Sequence, residues 1–162
     1  QRNFATKVSD ILARTGLAPE CLELEMTESI LMGDVSSAMH TLKRFKEMGI
    51  KISVDDFGTG YSSLSYLNKF PIDELKVDRS FVMHVPGNKG DSMITSAIIA
   101  LAHSLNLQVV AEGVESEAQA NFLLKSGCQV MQGYLYSKPV PADEIPELVA
   151  RKLPREKMGQ PI

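Results

Sequence analysis

Short apolar segments alternate with amphipathic segments along this chain, at intervals of roughly 25 residues. The apolar segments predict five strands, at residues 22–27, 50–55, 75–78, 107–112 and 130–134. Strands that alternate with helices usually form a parallel sheet, which either stays open or closes into a barrel. The chain is therefore expected to fold as an α/β protein with one sheet, and to bring the carboxyl ends of its strands together at one rim.

Helices are predicted between these strands from hydrophobic residues at helical spacing. The first helix has its apolar positions at Phe4, Val8, Ile11 and Leu12, and a second spans residues 35–48 after a possible N-cap at Asp34. A helix after residue 90 has Met93, Ala97, Ile98, Leu101 and Leu105 on one face. Ser116 and Gln119 form a capping box, and a last helix starts near Ala142.

Composition narrows the range of functions. The 162 residues suffice for one domain, and a net charge of −3 gives no general reason to expect a nucleic-acid polymer or a membrane surface as partner. Cys21 and Cys128 are far apart and have no metal-type spacing, which favours a reduced, cytoplasmic setting. The uncharged stretch 92–111 is interrupted by polar residues, so it predicts a soluble helix and strand rather than a membrane span.

Polar side chains fall near the carboxyl end of every predicted strand. They are Glu25 in the first strand, Asp55 and Asp56 in the second, Lys76 and Asp78 in the third, Glu112 in the fourth and Gln132 in the fifth. Packing alone does not require two adjacent aspartates at the end of a hydrophobic strand, because neighbouring carboxylates repel one another unless a cation neutralises them. Five strands in succession that bring such groups to one rim predict a functional site there.

The chemistry of these groups points to divalent cations. Glu25, Asp55, Asp56 and Glu112 together could hold two ions that clamp a phosphoryl group under attack. Lys76 could orient the attacking water or offset phosphate charge, and Gln132 could hold a water or a phosphate oxygen. Two alternatives stay open: an ordinary acidic turn after the second strand, and an internal salt bridge between Lys76 and Asp78.

At this point the motifs resemble a known family. The runs LELEMTES (22–29), VDDFGTGYSS (54–63), LKVDRSFV (75–82), VAEGVE (110–115) and QGY (132–134) resemble, in order and spacing, the EAL-domain cyclic di-GMP phosphodiesterases of bacteria. The likeness extends to about residue 149. It implies a modified TIM-like (β/α) barrel with one antiparallel strand, and hydrolysis of cyclic di-GMP to linear pGpG with two Mg²⁺ or Mn²⁺ ions.

The resemblance also assigns roles to individual residues. It implies that Glu25 binds the first metal, that Asp55 bridges, and that Asp56 and Glu112 bind the second. Lys76 would position the attacking water with support from Asp78, and Gln132 would line the phosphate site together with Asp78. A control loop would comprise Phe57, Gly58, Thr59, Gly60, Tyr61, Ser62 and Ser63 and extend to residue 65, with Glu28 holding it down and Glu115 supporting the segment after Glu112.

The chain departs from the family pattern in one respect: it contains no Glu-Ala-Leu tripeptide. The signature strand and a metal-binding asparagine are expected to precede Gln1, which leaves about five βα units of an eight-stranded barrel. Residues 1–153 are thus expected to be the C-terminal part of the domain and 154–162 a polar tail. We also expect a homodimer, an upstream sensory or diguanylate cyclase domain, and little or no catalysis by the isolated chain. The alternative is a non-catalytic module that binds cyclic di-GMP or a protein partner.

Overall fold

A computed structural model describes residues 3–28, 30, 35–59 and 67–150 of the chain. The strands are β1 (Glu23–Thr27), β2 (Lys51–Phe57), β3 (Glu74–Val77), β4 (Gln108–Ala111) and β5 (Val130–Met131). The helices are α1 (Phe4–Thr15), α2 (Val35–Glu47), α3 (Arg79–Val82), α4 (Lys89–Ser104), α5 (Glu117–Lys125) and α6 (Ile145–Ala150). Two single turns of 3₁₀ helix lie at Pro19–Cys21 and Ala142–Glu144.

The five strands form one parallel sheet in the order β1-β2-β3-β4-β5. Each strand therefore pairs with its neighbours in sequence, and all the carboxyl ends lie at the same rim. Within the described residues β1 and β5 do not pair, so the sheet is not closed into a barrel. The predicted α/β class, with about five βα units of a TIM-like barrel, is confirmed.

The two faces of the sheet differ in polarity. Strand residues on one face are buried under the helices and form the hydrophobic core, with Ile52, Val54, Leu75, Val77 and Ala111 at its centre. Helix α2 packs on β2, and α4 packs on β3 and β4. Because side chains alternate along a strand, the opposite face carries polar residues at the intervening positions. They are Glu23 and Glu25 in β1, Ser53 and Asp55 in β2, and Glu74 and Lys76 in β3.

Some predicted elements differ from those observed. Strand β2 runs two residues further than predicted, whereas β5 ends at Met131, so Gln132 follows the strand instead of belonging to it. The short helix α3 was not predicted, because four residues are too few to show a helical period. Met93 was predicted to face the core but is 65% exposed, since α4 buries Thr95, Ile98, Ile99 and Ala102 instead.

Leu67 is buried where the described chain resumes after the loop, whereas residues 64–66, Asp34 and the tail 154–162 lie outside the described part of the chain. In that described part, no helix is both long enough and apolar enough to cross a membrane.

Candidate functional site

The ammonium group of Lys76 is the centre of the polar rim. Its Nζ lies 2.6 Å from Oε1 of Glu112, 3.0 Å from Oε1 of Glu25 and 3.5 Å from Oδ1 of Asp55. Lys76 is only 6% exposed, whereas its three partners keep more contact with solvent. Three carboxylates from three different strand regions thus converge on one buried cation, and we call these four residues the lysine-carboxylate cluster.

The register of the sheet explains this convergence. Glu25 lies beside Ser53, and Asp55 lies beside Thr27 at the end of β1. Lys76 is the penultimate residue of β3, with Val110 of β4 as its neighbour. Glu112 follows β4 directly, and its backbone N–H donates a hydrogen bond of 3.1 Å to the carbonyl of Val77. The long lysine side chain extends along the polar face to reach carboxylates on both sides of its own strand.

Lys76 stays charged in this setting. Burial alone would lower the pKa of its ammonium, but the hydrogen bonds to Glu112 and Glu25 and the nearby charges of Glu112 and Asp55 outweigh that effect and raise the pKa above its usual value. The predicted alternative of a salt bridge from Lys76 to Asp78 does not describe the observed partners. Among the described residues, the ion pairs of Lys76 go to Glu25, Asp55 and Glu112.

Asp56 occupies a bulge in β2. The pairing with β3 shifts between Val54 and Phe57, and Asp56 has a positive φ of 54°. A bulge inserts one extra residue, so Phe57 returns to the core face although Asp55 points to the polar face. Aspartate tolerates this left-handed conformation better than most residues. The second aspartate of the pair therefore has a structural reason to be there, besides its predicted role as a metal ligand.

Asp78 and Gln132 lie at the same rim but outside the ion pairs of the cluster. The side chain of Asp78 caps helix α3: Oδ1 accepts hydrogen bonds of 3.0 Å from the backbone N–H and 2.5 Å from the hydroxyl of Ser80. Gln132 is exposed, and its backbone links two segments by donating to the carbonyl of Ala111 and accepting from the N–H of Val114. Their predicted roles toward water and phosphate stay predictions.

Glu28 connects β1 to the segment after β2. It is 4% exposed, and its Oε2 accepts a hydrogen bond of 3.2 Å from the backbone N–H of Gly58. Gly58 has a φ of 97°, and a Cβ there would lie 3.0 Å from the ring of Phe81. The hydroxyl of Thr59 donates to the carbonyl of Asp56 at 2.8 Å.

Of the other predicted loop residues, Phe57 is buried in the core. Gly60, Tyr61, Ser62 and Ser63 lie outside the described residues.

Glu115 lies beyond Gly113 on the segment that follows Glu112. Its Oε1 accepts a hydrogen bond of 2.8 Å from Arg79, the first residue of α3. A Cβ on Gly113, which has a φ of 69°, would meet the side chain of Arg79. The ion pair is exposed, so its contribution to stability is small. Its position is compatible with the predicted support of the Glu112 segment.

Two features of the polar face were missed at the level of sequence. Glu74 lies two residues before Lys76, and burial together with the neighbouring carboxylate of Glu23 raises the pKa of Glu74 from 4.5 to about 7. Ser53 is fully buried, and its hydroxyl has no hydrogen-bond partner among the described residues. The two-residue period of a strand could have revealed both residues. Ser53 and Glu74 lie two positions before Asp55 and Lys76, and therefore on the same face of the sheet.

The donor set suits a hard divalent cation. Glu25, Asp55 and Glu112 offer carboxylate oxygens that all lie within 3.5 Å of one nitrogen, and such oxygens are the preferred ligands of Mg²⁺. Among the described residues, however, no three His, Cys, Asp or Glu side chains are already arranged as an ion site. The carboxylates fit a metal in their chemistry, whereas in their observed arrangement they surround the ammonium of Lys76.

Fold and site together define an α/β protein with a charged cluster at the carboxyl ends of parallel strands, the usual place of an active site in such sheets. A family model described as the EAL domain matches residues 1–139. The chain belongs to the EAL domain family, which confirms the resemblance seen in the sequence motifs.

Comparison with individual proteins gives the same result. The cyclic di-GMP phosphodiesterase NbdA of Pseudomonas aeruginosa is 48% identical over 147 residues, which cover 91% of this chain and 19% of NbdA. Among solved structures, the PaMucR phosphodiesterase in complex with c-di-GMP has a TM-score of 0.85 at 46% identity, with 88% of this chain and 58% of that chain covered.

A manganese and cyclic di-GMP complex of Klebsiella pneumoniae BlrP1 has a TM-score of 0.77 at 33% identity, with 83% of this chain and 34% of that chain covered. The chain spans about a fifth of the length of the curated relatives it matches.

Proposed function

We propose that this chain carries the lysine-carboxylate side of a metal-dependent phosphodiesterase site that hydrolyses cyclic di-GMP to linear pGpG. The observation that carries the proposal is the convergence of Glu25, Asp55 and Glu112 on the buried ammonium of Lys76. Similarity to NbdA, and to a phosphodiesterase solved with c-di-GMP, supports the substrate. The BlrP1 complex with manganese supports a divalent cofactor, for which we propose Mg²⁺ or Mn²⁺.

In this proposal Glu25 would hold one metal ion, Asp56 and Glu112 would hold the other, and Asp55 would be shared between them. When bound, such ions would lower the pKa of a water molecule and neutralise charge on the phosphate. Lys76 has its ammonium within 3.5 Å of three of these carboxylates, so it can hold the attacking water by donating a hydrogen bond. The hydrogen bonds to Glu112 and Glu25 raise the pKa of Lys76, which supports a role in orientation and charge rather than as a general base.

Two further groups complete the rim. Asp78, at the start of α3, would support the position of Lys76 through the end of β3, and Gln132 is exposed on the same side and would contact a phosphate oxygen. Glu28 fixes the start of the proposed control loop through Gly58, and Glu115 supports the segment that carries Glu112. We propose a cytoplasmic location, assembly as a homodimer, and a sensory or diguanylate cyclase domain elsewhere in the parent protein.

The experiment is a chromatographic assay of cyclic di-GMP incubated with the 162-residue chain and Mn²⁺ or Mg²⁺. We expect slow, metal-dependent formation of pGpG that Asp55→Asn abolishes. Asp73→Asn is the matched control, because Asp73 is an ion-paired carboxylate bound to Lys46 at 2.6 Å, outside the cluster. This control should retain the activity.

The second candidate function is a module that binds cyclic di-GMP without cleaving it. It predicts a different result in the same assay. Its basis is that the three carboxylates of the cluster are already paired with the ammonium of Lys76. Intact substrate after long incubation, together with calorimetric binding of cyclic di-GMP that Asp55→Asn weakens, would contradict hydrolysis by this chain and support binding. Intact substrate without binding would contradict both functions.

A further inference from the structure

The cation that the lysine-carboxylate cluster already contains is its own lysine. Three carboxylates and one ammonium leave the cluster with a formal charge of −2, and each carboxylate is within 3.5 Å of Lys76 Nζ. Without the ammonium, three like charges would face one another in a partly buried site, which is strongly unfavourable. Lys76 thus holds together the oxygens that the proposed function assigns to metal binding.

We propose that Lys76 is an exchangeable counter-cation of this site: a divalent ion displaces its ammonium from Glu25 and Asp55 when it binds. This inference rests on the proposed function only in taking these carboxylates as metal ligands. It adds a second role for Lys76, which positions the ligands before the ion arrives and competes with the ion for them.

The geometry supports exchange rather than simple addition. An ion bound at 2.0–2.6 Å from the carboxylate oxygens would lie only a few ångströms from the ammonium, where two positive charges repel. Among the described residues no three acidic side chains are already arranged to hold an ion, so the oxygens must rearrange to coordinate one. The contacts to Glu25 and Asp55, at 3.0 and 3.5 Å, are longer than the 2.6 Å contact to Glu112 and are expected to open first.

A lysine released from two carboxylates does not become unpaired. Its shortest contact, to Glu112, can persist while the ion takes oxygens of Glu25 and Asp55. The buried ammonium therefore keeps one charged partner, which it needs because a buried charge without a partner is costly. This would leave Lys76 beside the ion, in the position from which the proposed mechanism has it hold the attacking water.

The test measures the affinity for Mn²⁺ in the absence of substrate, by calorimetry or by the electron paramagnetic resonance signal of free Mn²⁺. Lys76→Met removes the ammonium and keeps most of the side-chain length. Exchange predicts that Lys76→Met binds Mn²⁺ about tenfold tighter or more, since a unit positive charge close to a divalent ion is removed. It also predicts that Mn²⁺ raises the melting temperature of the variant more than that of the wild type.

The matched control is Lys46→Met, which removes a lysine that is ion-paired with Asp73 at 2.6 Å, outside the cluster. Its Mn²⁺ affinity should equal that of the wild type. A purely structural role for Lys76 predicts the opposite sign in the test variant, because a disordered cluster would bind the ion more weakly. Unchanged or weaker binding by Lys76→Met, or no Mn²⁺ binding by either protein, overturns the exchange.

A measurement on the wild type covers the case in which Lys76→Met does not fold. The ¹⁵Nζ resonance of Lys76, followed by NMR during a Mg²⁺ titration, should move in step with ion binding as two of its three partners are lost. A resonance that does not change when Mg²⁺ binds overturns the proposal. Neither readout depends on turnover, so the pGpG assay reports on the proposed function separately.

Discussion

The carboxyl group of Glu74 is expected to make the protein less stable as the pH rises from 4.5 to about 7. Burial, followed by the neighbouring Glu23, raises the pKa of Glu74 to about 7 in the folded state from the ordinary 4.5. Between these values the folded state holds a proton that the unfolded state has released. The free energy of unfolding therefore falls through this window, and the loss is complete above pH 7.

The size of the effect follows from the shift. The difference between 4.5 and about 7 corresponds to about 3 kcal/mol if all of it reached the stability. Because Glu74 is only partly buried, solvent screening reduces this to about 1 kcal/mol. Glu74→Gln removes the ionisable group and keeps the shape, so the variant should be about 1 kcal/mol more stable than the wild type at pH 8 and nearly equal to it at pH 4.

Urea unfolding followed by circular dichroism at pH 4, 6 and 8 measures this difference directly. Glu47→Gln is the control for loss of a negative charge, because Glu47 is an exposed glutamate of α2. Its effect should not vary over this pH range as that of Glu74→Gln does. A Glu74→Gln protein that is less stable than the wild type at pH 8, or a gain that is the same at pH 4, would refute the reasoning.

Three further predictions concern the frame of the site and are measured by the same unfolding assay. Glu28→Ala should cost about 2 kcal/mol, since it leaves the N–H of Gly58 without its charged acceptor, and Glu28→Gln should cost about half as much; equal costs would contradict a charge-assisted bond. Gly133→Ala should cost about 3 kcal/mol because its Cβ would meet the backbone of Val114, and a neutral effect would contradict this close approach. Ser53→Ala should be neutral or stabilising by about 1 kcal/mol, because it removes a buried hydroxyl without a partner among the described residues; a clear loss of stability would show that the hydroxyl is bonded.

The sequence predicts the sheet well because strand and helix periods differ strongly. The alternation of apolar segments and amphipathic segments locates all five strands, and the parallel arrangement then brings Glu25, Asp55, Lys76 and Glu112 to one rim. The family resemblance, confirmed by the match to the EAL domain, gives these residues proposed roles.

Other features depend on tertiary contacts that a single sequence does not show. The bulge at Asp56 allows Phe57 to return to the core, and no pattern in the neighbouring sequence predicts it. The actual partners of Lys76 are similarly set by register: Asp78 is nearer in sequence, but it caps α3, while carboxylates from β1, β2 and the segment after β4 reach the ammonium. The carboxylate of Glu23, which raises the pKa of Glu74, likewise lies 51 positions away in sequence.

The central claim is that the lysine-carboxylate cluster is where this protein binds its divalent ions. The most direct measurement is anomalous diffraction from crystals of the protein grown with Mn²⁺ and cyclic di-GMP. We expect an anomalous peak within coordinating distance of Asp55, with Glu25 or Glu112 as a second ligand. Ordered Mn²⁺ only at other carboxylates, or a cluster in which Lys76 keeps all three contacts while cyclic di-GMP is bound, would contradict it.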